Sequence, residues 1–325
     1  ESRLMFDEFA PALPHGGDLT YASAVFGEPD EPWQDLSTGI SPWGYRVINI
    51  PSHVWRDLPG ANTLLCKAAA EYYQSRPEFV VPVPGSQFAL GQLPLLLPPA
   101  AVALPVIGYA EHAKAWQQAG HQIVFYDAIA QLCQLAEQAT VTHAVVINPN
   151  NPTGEVCPLN TLEFLHSILP GVVLVDEAFI DALALPSAVI LLPSLPRLCV
   201  LRSVGKFFGL AGVRLGFLLN SAELAEPLRQ TLPPWAISHP AQWLGERALN
   251  DRASAGPAVA GARRAATVVN AAAAVCRCSV YLSRRRLICY LAWAVAHAEA
   301  FVPTFSRAGY LYPLVPLARA HRGHR

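Results

Sequence analysis

Short apolar runs recur along the chain at Ala101–Leu104, Gln122–Tyr126, Ala144–Asn148, Val172–Asp176, Leu198–Arg202 and Arg214–Leu219. Each is short for a helix and too continuously apolar for a strand with one wet face. Each therefore reads as a strand covered on both sides. Stretches with helical spacing of apolar residues lie between and before them. Helices are predicted over Ala110–Ala119, Leu159–Ile168 and Ala61–Ser75, the last with Asn62 at an N-cap position. The alternation predicts an α/β domain on a largely parallel sheet. In such sheets ligands bind beyond the carboxyl ends of the strands.

The flanks have a different pattern. Residues 13–44 are rich in glycine, proline and tryptophan and predict an irregular arm. After about Asn250 the strand–helix alternation stops. Alanine dominates 253–274, Arg284, Arg285 and Arg286 follow, and the chain ends in His-Arg-Gly-His-Arg. The expected organisation is an N-terminal arm over 1–44, a large domain over 45–220 and a C-terminal region over 221–325 that joins the arm in a smaller domain. Residues 251–325 are atypical, with the composition that a frame change in a GC-rich gene would produce. Sequencing the coding region tests this, and an intact frame would dismiss it.

Composition limits the classes of function. The chain has 325 residues, 52% hydrophobic and 14% charged, enough to bury a large core and too apolar for extended disorder. A net charge of −1 offers no basic field for nucleic acid. Seven scattered cysteines do not form a disulfide framework and suit a reducing compartment. Cys276 and Cys278 are close in sequence, but nothing nearby completes a zinc site. No basic segment followed by an apolar core opens the chain. Phe88–Tyr109 is apolar, but Pro94, Pro98, Pro99 and Pro105 break any single spanning helix, and Leu287–Ala296 is too short to span a bilayer. The expectation is a soluble cytoplasmic protein with no metal, membrane or nucleic-acid partner.

Polar residues cluster where the apolar runs end. Asn148-Pro-Asn-Asn-Pro-Thr-Gly154 follows one run; it reads either as a turn or as a set of amides aimed at a ligand. Asp176 ends another run. A carboxylate there either caps the next turn or meets a positive partner, and Glu177 shares the first option. Lys206 is one of three lysines and lies among apolar and glycine residues. It is either a lysine reaching outward to water or an amine whose pKa is lowered by its surroundings, able to attack a carbonyl. Ser203-x-x-Lys206 lacks the Lys-Thr-Gly element of penicillin-recognising acylases, and Val200 and Phe207 exclude a phosphate-binding P-loop. A free amine paired with Asp176 is what pyridoxal 5′-phosphate requires. Pro84-Gly-Ser-Gln87, Ser203 and Arg214 offer backbone N–H groups, a hydroxyl and a fixed charge for its phosphate.

These motifs, with His15-Gly-Gly-Asp18, Asp35–Pro42, Asp176–Asp181 and Val200–Ser221, run over about residues 13–250 in one order. In that order the chain resembles the fold-type-I aminotransferase superfamily of pyridoxal-phosphate enzymes. Within it, the chain is most similar to the threonine-phosphate decarboxylases of cobalamin biosynthesis. His-Gly-Gly and the Phe of Asp-Glu-Ala-Phe179 favour that group over the histidinol-phosphate aminotransferases, which more usually carry Asp-Glu-Ala-Tyr.

The resemblance implies a cofactor bound covalently by Lys206, with Asp176 on the pyridine nitrogen and Asn151 on the phenolic oxygen. Ser86, Ser203 and Arg214 would hold the phosphate, Tyr109 would stack on the ring, and His112 would support Asp176. Tyr109 read alone has a second, less favoured reading as a core aromatic at a strand end. Gly39 would lie in a loop approaching the substrate, a small phosphorylated amino acid, and His15 receives no role. A homodimer is implied, although Leu58-Pro59 replaces the usual Tyr-Pro pair that reaches the neighbouring subunit. No arginine after residue 250 aligns with the family's substrate-carboxylate arginine. An aminotransferase, or an inactive member with an altered tail, is the alternative.

Overall fold

The computed structural model describes residues 16–26, 38–41, 44–47, 49–183 and 185–251. The chain divides into two compact units, Glu1–Gly39 with Phe301–Arg325, and Ile40–Ala300. In the first unit the described helix is α1 (Leu19–Phe26). His15 and, apart from Asp251, the atypical tail lie outside the described residues.

The second unit carries seven strands: β1 (Val80–Val83), β2 (Ala101–Pro105), β3 (Gln122–Tyr126), β4 (His143–Ile147), β5 (Val173–Asp176), β6 (Leu198–Ser203) and β7 (Gly216–Asn220). They form one sheet in the order β1-β7-β6-β5-β4-β2-β3. The ladders from β6 to β3 are parallel, while β7 runs antiparallel to both β6 and β1. The helices are α2 (Ser52–Arg56), α3 (Thr63–Tyr73), α4 (Ser86–Gln92), α5 (Glu111–Gln118), α6 (Ile129–Glu137), α7 (Leu159–Ile168), α8 (Val204–Phe207), α9 (Ala222–Thr231) and α10 (His239–Asn250).

The central strands are apolar throughout because both faces are covered. Val173 and Val175 of β5 join one apolar cluster and Leu174 joins the other; Val200 and Leu201 of β6 divide in the same way. Alternate side chains of a strand point to opposite faces, so this division is the signature of a sheet packed on both sides. Each fully buried Leu or Val contributes about 1.5–3 kcal/mol relative to exposure.

The predicted strands are present with ends shifted by one or two residues. β1 is an additional strand, disguised by Pro82, which is tolerated because β1 is an edge strand. Helices α1, α2, α6, α8, α9 and α10 are also additions, and α1 corrects the expectation that 13–44 is irregular throughout. Pro227 inside α9 hides its period, whereas α10 carries a readable start, with the Ser238 side chain accepting from Ala241 N–H. Asn62 does stand at the N-cap of α3, but its side chain makes no capping hydrogen bond and its Oδ1 is buried without a partner.

Candidate active site

Strands β1 to β6 share one direction, so their carboxyl ends line one edge of the sheet. β7 runs the other way and starts at that edge, where Gly216 pairs with both Ser203 and Val83. Ser86 follows β1, Tyr109 follows β2, Asn151 follows β4, and Asp176 ends β5. Ser203 ends β6, Lys206 lies three residues beyond, and Arg214 precedes β7. Seven of the eight residues singled out from sequence thus belong to one edge. Gly39, the eighth, belongs to the other unit and has φ 63°, a left-handed conformation suited to glycine.

Lys206 sits in the single turn of α8, half-buried, with Val204 and Phe207 packed into the core around it. Its carbonyl accepts from Ser41 N–H at 2.9 Å, and Phe208 O accepts from Tyr45 N–H at 2.7 Å. The two backbones can approach because Gly44 and Gly209 face one another. A Cβ on Gly209 would stand 2.6 Å from the Gly44 α-carbon. Lys206 Nζ lies 5.6 Å from the centroid of the Phe179 ring, within cation–π range.

Asp176 is buried at 7% exposure and held on both oxygens. Its Oδ2 is 2.9 Å from His112 Nε2, and its Oδ1 accepts from Ala178 N–H at 3.0 Å. With Asp176 ionised, His112 carries its proton on Nε2, which leaves Nδ1 buried and without a partner. Tyr109 stands edge-on to the His112 ring at 6.2 Å and donates its hydroxyl to Gln87 Oε1 at 3.0 Å. Burial, then the nearby carboxylates of Glu111 and Asp176, push the Tyr109 phenol above its ordinary value, while Arg214 opposes them. Tyr109 thus lies within electrostatic reach of both Asp176 and Arg214.

Ser86, Ser203 and Arg214 converge around two glycines. Gly85 has φ 79°, and a Cβ there would come within 2.5 Å of the Arg214 guanidinium. A Cβ on Gly216 would come within 2.3 Å of Ser86 N. The result is a cradle of a hydroxyl, backbone and a cation that a side chain at either glycine would fill.

The Asn148–Gly154 loop makes a different use of its amides. Asn148 is buried and exchanges hydrogen bonds with Cys157, accepting at Oδ1 from its N–H at 3.0 Å. Asn150 donates to Ile107 O at 2.8 Å, and its Oδ1 is buried without a partner. Asn151 is exposed on the loop.

Arg202 was not singled out as a site residue by sequence reasoning. It is 3% exposed and bonds Glu177 Oε2 and the Ser187 hydroxyl, each at 3.0 Å, and Asp181. The available signal was a charged residue inside an apolar strand, Val200-Leu-Arg202-Ser, which burial permits only with partners. Gln87, which orients Tyr109, carried no such signal.

An amine, a buried carboxylate braced by histidine, an aromatic ring and an anion cradle together fit pyridoxal 5′-phosphate. The amine matches its aldehyde carbon, the carboxylate its ring nitrogen and the cradle its phosphate.

Comparison with known proteins agrees. The model of the family described as aminotransferase class I and II matches residues 57–295. A threonine-phosphate decarboxylase of Pseudomonas aeruginosa is 41% identical over 243 residues, covering 74% of this chain and 72% of that protein. Another, from Sinorhizobium sp, is 38% identical over 236 residues, covering 70% and 68%. Among solved structures, the histidinol-phosphate aminotransferase of Sinorhizobium meliloti in complex with pyridoxal-5′-phosphate has a TM-score of 0.63 at 19% identity, covering 84% of this chain and 80% of that one. The L-threonine-O-3-phosphate decarboxylase of Porphyromonas gingivalis has a TM-score of 0.60 at 17% identity, covering 68% and 72%. The fold, the polar edge and these matches together make the chain a member of the aminotransferase class I and II family of pyridoxal-phosphate enzymes.

Proposed function

We propose that the protein decarboxylates L-threonine O-3-phosphate to (R)-1-amino-2-propanol O-2-phosphate, a step of cobalamin biosynthesis, as a cytoplasmic homodimer. The observation that carries this reading is the 41% identity to a threonine-phosphate decarboxylase over most of both chains. Among the described residues no helix is long and apolar enough to cross a membrane, which is compatible with it.

Pyridoxal phosphate, when bound, supplies a carbonyl that condenses with amines and a ring that accepts the electron pair left by a bond broken at the substrate α-carbon. Lys206 Nζ would hold the cofactor through its aldehyde carbon and would carry a proton near the substrate α-carbon. Asp176 keeps a proton on the ring nitrogen, and His112 keeps Asp176 oriented toward it. Tyr109 would stack on the cofactor ring, with its hydroxyl held by Gln87. Ser86, Ser203 and Arg214 would hold the phosphate, and Asn151 would donate to the phenolic oxygen. Gly39 carries a substrate-binding assignment from the family resemblance alone.

The purified protein with pyridoxal phosphate and phosphothreonine, without any keto acid, is expected to release CO2 and aminopropanol phosphate. Lys206→Ala is expected to lower the rate on the order of 10^4-fold. Turnover that requires a keto acid would replace this reading with an aminotransferase. A bound cofactor with no turnover would replace it with an inactive member of the family.

A further inference from the structure

β5 and β6 present two sets of side chains at their carboxyl ends. Asp176 and Ser203 belong to the candidate site. Their immediate chain neighbours, Glu177 and Arg202, form a separate buried cluster. Glu177 N–H donates to Leu201 O at 3.0 Å, the last backbone bond joining the two strands before they part. Just there, Arg202 joins Glu177 across the gap at 3.0 Å, with Glu177 fully buried. The other arm of its guanidinium holds Asp181, on the short helical turn that follows β5. Between Glu177 and Asp181 lies Phe179, whose ring faces Lys206 Nζ. One guanidinium thus grips both ends of the segment that carries Phe179, and it grips them from the strand that leads into Lys206.

The cluster is built for this fork. Ser187 and the Ala188 N–H donate to Glu177, and the Arg202 guanidinium lies 4.4 Å from the centre of the Tyr73 ring. Burial raises the pKa of Glu177, opposed by Arg202 and these hydrogen bonds. Burial alone would lower that of Arg202, but the Asp181 and Glu177 carboxylates outweigh it and hold it above the usual arginine value. A lysine would keep the charge and lose the fork, because an ammonium is a point charge and cannot hold two carboxylates in one plane.

We propose that Arg202 is a positioning residue for the cofactor: through Glu177 and Asp181 it fixes the Phe179 ring and the end of β5 relative to Lys206. This rests on pyridoxal phosphate occupying the site, but not on the identity of the substrate. Arg202→Gln, Arg202→Lys and Phe179→Leu are compared with the unmodified protein by cofactor titration and by visible circular dichroism per bound cofactor. The dichroism reports how the cofactor ring is held. Folding of each variant is checked in the far ultraviolet.

Folded Arg202→Gln is expected to bind pyridoxal phosphate about tenfold more weakly, with reduced visible dichroism. Arg202→Lys is expected to recover only part of both. Phe179→Leu, with the clamp intact, is expected to reduce the dichroism without changing the melting temperature. Should the arginine variants not fold, Ser187→Ala, which removes one hydroxyl and no charge, is expected to move both readouts in the same direction by less. Folded variants with lower melting temperatures but unchanged affinity and dichroism would reduce Arg202 to a structural ion pair and overturn the proposal. None of these readouts uses substrate, so a failure of the decarboxylation assay is separable from a failure here.

Discussion

The two edges of the sheet bury polar side chains in opposite ways. At the carboxyl edge carboxylates meet side-chain partners: Asp176 bonds His112, and Arg202 forms ion pairs with Glu177 and Asp181. At the amino edge the buried groups are imidazoles satisfied largely by backbone. His143 Nδ1 accepts from Val172 N–H at 2.9 Å. His121 is placed between Ala100 N–H and Pro94 O, and the two rings pack with Trp116. Burial, reinforced by His121, pushes the His143 imidazole down to about 4. His143 at the amino edge is therefore held neutral, whereas Arg202 and its two carboxylates at the carboxyl edge are held as an ion-paired cluster. Desolvation acts at both edges, and the difference lies in whether a counter-charge is supplied.

The sharpest way to break the contrast is to remove the cation at the carboxyl edge. Arg202→Met leaves two buried carboxylates without their partner and is expected to cost about 3–5 kcal/mol in urea unfolding. Next in size is Asp176→Asn, which keeps the side chain's shape and removes the carboxylate proposed to meet the cofactor's ring nitrogen. A loss of roughly 10²–10³ in kcat is expected, measured by product release.

The smallest effect belongs to the amino edge. His143→Leu leaves Val172 N–H without its acceptor and is expected to cost about 1–3 kcal/mol near neutral pH. The pH dependence sharpens the comparison further. The folded-state pKa of His143 lies below its ordinary 6.5, so the unfolded chain takes up the proton first. The stability His143 contributes is complete above pH 6.5 and is lost as pH falls toward 4. The variant should lose less stability over that window than the unmodified protein. Equal slopes in melts across the window would show that His143 is not held neutral.

Much of this arrangement was readable from residues alone, for one physical reason. A strand buried on both faces carries few polar positions before it ends, Arg202 in β6 being an exception, so polar residues at its end mark the edge where a ligand can be met. That rule located Asp176, Ser203 and the Asn148–Gly154 loop. It failed where a backbone rule masked an element, as Pro82 does in β1 and Pro227 in α9. It also could not show that Gly85 meets Arg214, because that contact depends on the antiparallel pairing of β1 with β7. The partners of Arg202 were equally hidden. Asp181 and Ser187 look like ordinary loop residues, and only the folded segment after β5 brings them to one guanidinium.

The bonds from Ser41 to Lys206 and from Tyr45 to Phe208 have a consequence for assembly. Their ends lie about 165 residues apart along the chain, among the most distant contacts a domain of this size must close, and such closures come late in folding. During synthesis the early segment waits for nearly the whole domain to emerge before its partner exists. The turn that carries Lys206 therefore keeps two of its backbone bonds open until a segment about 165 residues earlier has been brought back to it.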